Sequence, residues 1–173
     1  MRATLIFLTV LLSFTSRAQQ APANWKVLTK DNYSIQYPVS WDLDQTGYQG
    51  TTFVVRSVLT STQDLFPENV NLIIHDLRGT TIYLDKLVKQ SESTFQTSLS
   101  NFKISESKRL KDTAGEYHKI IFTGEQGTTK LKFVQLLRIK GIKAYVLTFA
   151  AEQAQFDNYK EIGEKILNSF KIK

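Results

Sequence analysis

Four consecutive segments in the second half of the chain alternate between apolar and polar residues. They are 102–110, 116–123, 130–139 and 143–150. An alternation with period two is typical of β-strands, because successive side chains point to opposite faces of a sheet. The breaks between the segments, such as Lys140-Gly141, have hairpin length and turn-forming residues. Since hairpins join antiparallel neighbours, the pattern predicts an antiparallel meander and excludes an all-helical fold.

The last of these segments is apolar on both of its faces. Tyr145, Leu147 and Phe149 fall on one side, and alanine and valine fall on the other. A strand that is buried on both faces needs cover on both sides of the sheet. Two segments, 81–99 and 155–169, carry apolar residues at every third or fourth position, which predicts amphipathic helices that can supply this cover.

The first part of the chain predicts four further strands. They are 25–29, 33–37, 53–58 and 70–74. The predicted order of elements is therefore β-β-β-β-α-β-β-β-β-α. A mostly antiparallel sheet with helices packed against it belongs to the α+β class.

The first eighteen residues have the composition of a secretory signal peptide. Arg2 is followed by the apolar run Leu5–Phe14 and by small residues at Ser16-Arg17-Ala18. We expect cleavage after Ala18, a flexible lead-in over 19–24 and a single domain over 25–173. The protein is then expected to be exported and soluble, in the periplasm or outside the cell, with no transmembrane segment after cleavage.

Cysteine is absent from the chain, which excludes thiol nucleophiles, thiolate metal sites and disulfides. The hydrophobic fraction of 42% is sufficient for an ordinary globular core. The predicted leader contains two of the 22 basic residues and none of the 16 acidic ones, so the remainder keeps a net charge of +4. This mild excess fits either an ordinary solvated surface or attraction to an anionic partner.

Two short motifs resemble a known family. The segment 32–41, Asn-Tyr-Ser-Ile-Gln-Tyr-Pro-Val-Ser-Trp, is similar to the opening strand of PsbP-like and DcrB-like proteins, and 166–171, Ile-Leu-Asn-Ser-Phe-Lys, resembles their terminal helix. The resemblance implies the Mog1/PsbP fold, an α/β/α sandwich around a central, mostly antiparallel sheet of about six to eight strands with two main helices. It also implies a non-enzymatic accessory or binding protein, although a shared fold does not fix the function.

The chain contains few residues that suggest catalysis. Its two histidines, His75 and His118, fall in predicted strands, and no nucleophile elbow or phosphate-binding loop is present. Asp42 and Asp44 lack the further oxygen ligands of a calcium loop, so we interpret them as turn carboxylates. We therefore expect no catalytic residue, no cofactor and no metal. The alternative is a metal-assisted hydrolase that uses His75 or His118 with carboxylates brought together by folding.

Basic residues are concentrated between Lys103 and Lys143, where ten of them accompany four acidic residues. The spacing of two between Lys130 and Lys132 places both on one sheet face. We single out a candidate partner-binding face formed by Lys119, Lys130, Lys132 and Arg138. The alternative interpretation is that these lysines protect strand edges from aggregation. A nucleic-acid partner is not expected, because the chain shows no aromatic stacking platform.

The sequence thus favours an exported, non-enzymatic PsbP-like accessory protein that binds another envelope protein or an anionic surface. A second alternative is a small-ligand carrier with a pocket between sheet and helix. Three aromatic residues are candidates to line that pocket: Tyr37, Trp41 and Phe53.

Overall fold

The structure is a computed structural model that describes residues 23–62, 64 and 66–173. The predicted signal peptide and most of the lead-in, residues 1–22, lie outside the described residues. Ala23 and Asn24 form an exposed turn before the first strand. Export and the single-domain boundaries therefore stay predictions.

The described chain forms ten strands and two α-helices. In chain order they are β1 (Trp25–Thr29), β2 (Tyr33–Pro38), β3 (Asp42–Asp44), β4 (Phe53–Arg56), β5 (Asn69–Asp76), α1 (Leu84–Ser98), β6 (Ser100–Asp112), β7 (Gly115–Gln126), β8 (Thr129–Lys140), β9 (Lys143–Glu152), α2 (Phe156–Asn168) and β10 (Lys171–Ile172). A short 3₁₀ turn, Tyr48–Gly50, lies between β3 and β4.

Seven strands form one antiparallel sheet in the order β3-β4-β5-β9-β8-β7-β6. The four strands β9, β8, β7 and β6 of this sheet are the predicted meander. The α+β class is confirmed. A second, three-stranded antiparallel sheet has the order β1-β2-β10. In it Lys171 of β10 pairs with Ser34 of β2, so the residues after the last helix are joined to the first hairpin.

Two details differ from the sequence prediction. The structure places Asp42 and Asp44 in the short edge strand β3 rather than in a turn, and Asp44 forms an ion pair with Arg56 on the neighbouring strand. Helix α1 begins at Leu84 rather than near residue 81. The hydroxyl of Thr80 donates to the carbonyl of Leu77 at 2.8 Å, which stabilises a turn just before the helix, so the chain is not yet helical there.

The two helices cover opposite faces of the large sheet. On the face of α2 the core includes Phe53, Val55, Leu147, Phe149 and Ile166, and the three-stranded sheet closes it. On the face of α1 the core includes Leu87, Val88, Phe122, Phe133 and Val146. Burial of apolar side chains in both layers is the main stabilising contribution, and it gives the predicted α/β/α sandwich.

The helices are offset from each other across the sheet. Helix α1 packs against β6, β7 and β8, whereas α2 packs against β5, β9 and β2. Each helix therefore leaves half of its own face uncovered. On the side of α2 the strands that the helix covers least are β6–β8, and we call their exposed surface on this side the basic face. On the side of α1 a groove remains above β5 and β9, which we call the α1 groove.

Candidate binding face

The four basic residues singled out from the sequence lie on one face of the sheet. Lys130, Lys132 and Arg138 occupy even positions of β8, and Lys119 of β7 lies directly opposite Leu136. Cross-strand partners share a face, so all four side chains belong to the side of the sheet on which α2 packs. Helix α2 packs mainly against β5, β9 and β2 and meets β8 near its own first residue, Phe156, so most of this half of the face is uncovered in the described chain.

Three of these four residues already have a partner within the chain. Arg138 donates to both carboxylate oxygens of Asp112, at 3.0 and 2.6 Å, and to the carbonyl of Gly115 at 3.1 Å. Lys119 lies 3.8 Å from a carboxylate oxygen of Glu106. The ammonium of Lys132 is 4.1 Å from the centre of the Phe156 ring.

Two lysines that the sequence analysis did not single out complete the basic face. Lys103 lies opposite Thr123, and Lys108 lies opposite Lys119. Lys103 and Lys108 have opposite parity along β6, yet register shifts in that strand, one of them between Ile104 and Glu106, bring both onto the same face. An alternation rule assumes a regular strand, so it could not have grouped them.

Several positive charges on the basic face are not neutralised by a nearby carboxylate. Among the described residues, Lys103, Lys108 and Lys130 have no carboxylate oxygen within 4 Å. Lys108 and Lys119 are direct cross-strand neighbours, an arrangement of like charges that destabilises a sheet. A surface of this kind can attract an anionic partner.

Apolar groups are interspersed among these charges. The half-buried Ile121 and Leu136 lie on the same face, and Tyr117 lies beneath the guanidinium of Arg138 with 4.8 Å between the guanidinium carbon and the ring centre. A patch of apolar and aromatic groups surrounded by charges has the composition of a protein-binding surface.

The two histidines share the face of α1 but are far apart. His75 is on β5 and His118 is on β7, with β9 and β8 between them, which corresponds to roughly 14 Å. No group of three or more histidine, aspartate or glutamate side chains in the described chain could hold a metal ion. The structure thus does not bring the two imidazoles together in one site, so a metal-assisted hydrolase would have to use one of them alone with carboxylates.

His118 does contact a serine, however. Its Nε2 lies 2.8 Å from the hydroxyl of Ser107, which is also 3.4 Å from a carboxylate oxygen of Glu92. Burial, together with the nearby charge of Arg109, lowers the pKa of His118, so the imidazole is neutral near pH 7. The buried Nδ1 of His118 has no partner among the described residues, whereas in a catalytic triad a carboxylate orients that nitrogen.

The aromatic residues expected to line a pocket are core residues instead. Tyr37, Trp41 and Phe53 are 6%, 5% and 0% exposed and belong to the hydrophobic cluster beneath α2. Trp41 packs against Tyr159 of α2, and Phe53 packs against Tyr33. None of the three lines the α1 groove, so the expected pocket corresponds to packed core in the structure.

The described chain contains no helix that is both long and apolar enough to cross a membrane. No protein-family model and no curated protein sequence matches the chain.

Solved structures do match it. Cyanobacterial PsbP (CyanoP) from Synechocystis sp. PCC 6803 superposes with a TM-score of 0.68 at 14% identity, over 92% of this chain and 99% of that one. LpqN, described as involved in cell envelope biogenesis of Mycobacterium tuberculosis, gives a TM-score of 0.62 at 12% identity, over 86% and 90%. The protein PA94 from Pseudomonas aeruginosa gives 0.56 at 9% identity, over 84% and 95%. The fold of this chain is therefore PsbP-like.

Proposed function

We propose that the protein is an exported, non-enzymatic accessory protein of the cell envelope, and that it binds an acidic protein surface through the basic face. The observation that carries this proposal is the basic face, the largely uncovered half of the sheet on the side of α2. There Lys103, Lys108 and Lys130 lack carboxylate partners, and half-buried apolar residues lie between the charges.

Electrostatic complementarity favours an acidic occupant. A partner that brings carboxylates next to Lys108 and Lys119 relieves the repulsion between these two neighbours. The half-buried side chains of Ile121 and Leu136 add apolar area that a flexible anion could not cover. A folded protein surface therefore fits the face better than a free anion does.

The arrangement around the histidines supports a non-enzymatic role. The Ser107–His118 pair lacks an orienting carboxylate on Nδ1 among the described residues, and neither residue lines the α1 groove. The expected location in the envelope is supported by the signal-like leader and by the likeness to LpqN.

Site-specific photocrosslinking in cells of the native host tests the proposal. A crosslinking residue at Thr123 samples the basic face, and one at the exposed Asp157 of α2 samples a surface outside it. We expect a discrete adduct with an acidic envelope protein from position 123 and not from position 157. The isolated pair should then bind in a salt-dependent manner.

Charge reversal provides the matched control. The triple variant K103E/K108E/K130E should abolish the adduct, whereas K26E/K111E/K160E changes the total charge equally at exposed lysines elsewhere and should leave it intact. An adduct that survives the first variant, or the absence of any adduct at position 123, contradicts the proposal. Binding to anionic phospholipid vesicles without any protein adduct contradicts it as well.

A further inference from the structure

The α1 groove lies on the opposite side of the sheet from the basic face. It has a volume of about 990 Å³, and its walls are α1 on one side and the 3₁₀ turn before β4 on the other. Its floor is formed by β5 and β9, which α1 leaves open, and by the adjoining part of β8. Sites for small molecules in proteins are clefts of this order of size.

A row of polar side chains crosses the floor of the groove. Asn71 of β5 lies directly opposite Thr148 of β9, and Thr148 lies directly opposite Gln135 of β8. The three residues therefore stand side by side on three adjacent strands, and all three line the groove. Gln135 and Thr148 are only 2% and 5% exposed, although the surrounding face is apolar.

Hydrogen bonds hold the side chains of this row in place, but some of their donors and acceptors are left without a partner. Gln135 accepts from the hydroxyl of Ser91 on α1 and donates to Thr148 Oγ1 at 3.0 Å. Asn71 donates to the side-chain carbonyl of Asn69 at 3.2 Å. Within the described chain, the hydroxyl proton of Thr148, the second amide proton of Gln135 and the side-chain oxygen of Asn71 have no partner. Unpaired polar groups beneath a cavity cost stability, and a ligand that pairs with them offsets that cost.

The rim of the groove is positively charged. Lys86 and Lys89 of α1 line it, and no carboxylate oxygen of a described residue lies within 4 Å of either ammonium. Asp76, the one acidic residue among the described residues that line the groove, is held by Arg78, whose Nε donates at 2.8 and 3.0 Å to the two carboxylate oxygens. The groove thus combines a neutral hydrogen-bonding floor with unpaired cations at its edge.

We propose that the α1 groove binds a small hydroxylated organic anion, of the type of a sugar acid or a sugar phosphate. The anionic group contacts Lys86 and Lys89, and the hydroxyl groups pair with Asn71, Thr148 and Gln135. The walls contributed by Ile73 and Val146 contact the carbon skeleton. This site lies on the other face of the sheet from the basic face, so it does not depend on the protein partner proposed above.

Titration of the purified protein, followed by NMR of its side-chain amide groups, tests the site. Glucuronate samples the carboxylate form of the ligand, glucose 6-phosphate samples the phosphate form, and glucose and inorganic phosphate each supply only one half of the chemistry. We expect saturable shifts of the Asn71 and Gln135 amide signals with at least one of the two anionic sugars. The affinity should exceed that for glucose or phosphate alone by about tenfold or more.

Variants distinguish the contribution of the rim lysines to ligand binding from that of the polar residues on the floor. K86Q/K89Q should weaken binding of the anionic sugar by about tenfold, and so should T148V, while K160Q on the exposed surface of α2 should have no effect. Equal binding of glucose and the anionic sugars would overturn the proposal. It would also be overturned by shifts that map to the basic face, or by the absence of saturation with both anions at about 10 mM.

Discussion

The carboxylate of Glu68 accepts a hydrogen bond from the hydroxyl of Ser57 at 3.2 Å, and Glu68 is only 1% exposed. No basic side chain of the described residues forms an ion pair with it. Burial is the main cause that raises the pKa of Glu68 above its ordinary value of 4.5. Glu68 and Ser57 flank the loop that joins β4 to β5, so the charge state of one buried carboxyl is linked to the closure of this loop.

The raised pKa of Glu68 predicts how stability depends on pH. The folded state binds this proton more tightly than the unfolded state, so the contribution of Glu68 is most favourable below pH 4.5 and declines as the pH rises through the raised folded pKa. We expect Glu68→Gln to increase the free energy of unfolding at pH 7 by about 1 kcal/mol, and to change it little near pH 4. Urea unfolding at both pH values measures the difference. A variant that is less stable at pH 7 would show that the ionised carboxylate is favourable here.

Tyr33 offers a second test of buried polarity. Its side chain is 2% exposed, and its hydroxyl has no hydrogen-bond partner among the described residues. Because Phe removes the unpaired group and keeps the ring that packs on Phe53 and Phe170, we expect Tyr33→Phe to stabilise the protein by about 1 kcal/mol. Tyr145→Phe is the control, since the Tyr145 hydroxyl accepts from Asn32 at 3.5 Å and its loss should give no gain. Thermal unfolding of both variants provides the comparison.

Gly163 sets the close approach of α2 to the sheet. A Cβ atom at this position would lie 2.7 Å from atoms of the Phe149 ring, which is fully buried on β9. Alanine favours a helix over glycine by about 1 kcal/mol, but the overlap with a fixed ring costs more. We expect Gly163→Ala to lower the free energy of unfolding by about 1–3 kcal/mol, whereas Lys160→Ala on the exposed side of α2 should be close to neutral. Equal stability of the two variants would show that α2 can shift away from the sheet.

Local patterns predicted the parts of the fold that are themselves local. The β6–β9 meander was predictable because each hairpin is encoded by an alternating segment and its own turn. The pairing of Lys171 with Ser34 was not, because a two-residue strand has no recognisable period and its partner is more than a hundred residues away. The helix ends were less predictable, as α1 shows, because the hydroxyl of Thr80 bonds backwards into a turn.

The candidate sites show a similar division. The spacing of two along β8 placed Lys130 and Lys132 on one face, and the structure shows Arg138 on that face too, since the strand pairs with both of its neighbours without a register shift. The same rule applied to β6 could not place Lys103 and Lys108 on this face together, because register shifts in β6 change which of its residues share a face. The row beneath the α1 groove depends on the register of β5, β9 and β8, and the sequence does not specify that β5 joins the meander beside its last strand.

The contact between Ser107 and His118 leads to a chemical test of the non-enzymatic role. A serine that acts as nucleophile needs an oriented base, and the Nδ1 atom that a carboxylate would orient has no partner in the described chain. We expect a fluorophosphonate probe to leave Ser107 unlabelled at pH 7–8, so that mass spectrometry finds no probe adduct on either the parent protein or the S107A variant. Stoichiometric labelling of Ser107 that is lost in H118A would instead identify an activated serine and contradict the proposed role.

Arg138 belongs to the basic face by position but acts as an internal anchor. Its guanidinium is bound by Asp112 and by the carbonyl of Gly115, and its side chain is only 14% exposed. The bond from Arg138 is the main cause that lowers the pKa of Asp112, so this pair stabilises the folded state above the ordinary aspartate pKa and loses that contribution as the pH falls through the lowered value.

We therefore expect Arg138→Gln to lower the free energy of unfolding at pH 7 by about 1–2 kcal/mol, with a smaller loss near pH 3. We expect the opposite effects on stability and on crosslinking from Lys108→Gln, because Lys108 has no carboxylate partner in the described residues and lies beside another lysine. It should leave stability unchanged or improve it, and weaken the crosslink from position 123. Unfolding and crosslinking measured on both variants separate the residue that holds the β6–β7 hairpin from the residue that is free to bind a partner. If the Arg138→Gln variant is as stable as the parent protein but loses the crosslink, Arg138 binds the partner and does not hold the hairpin.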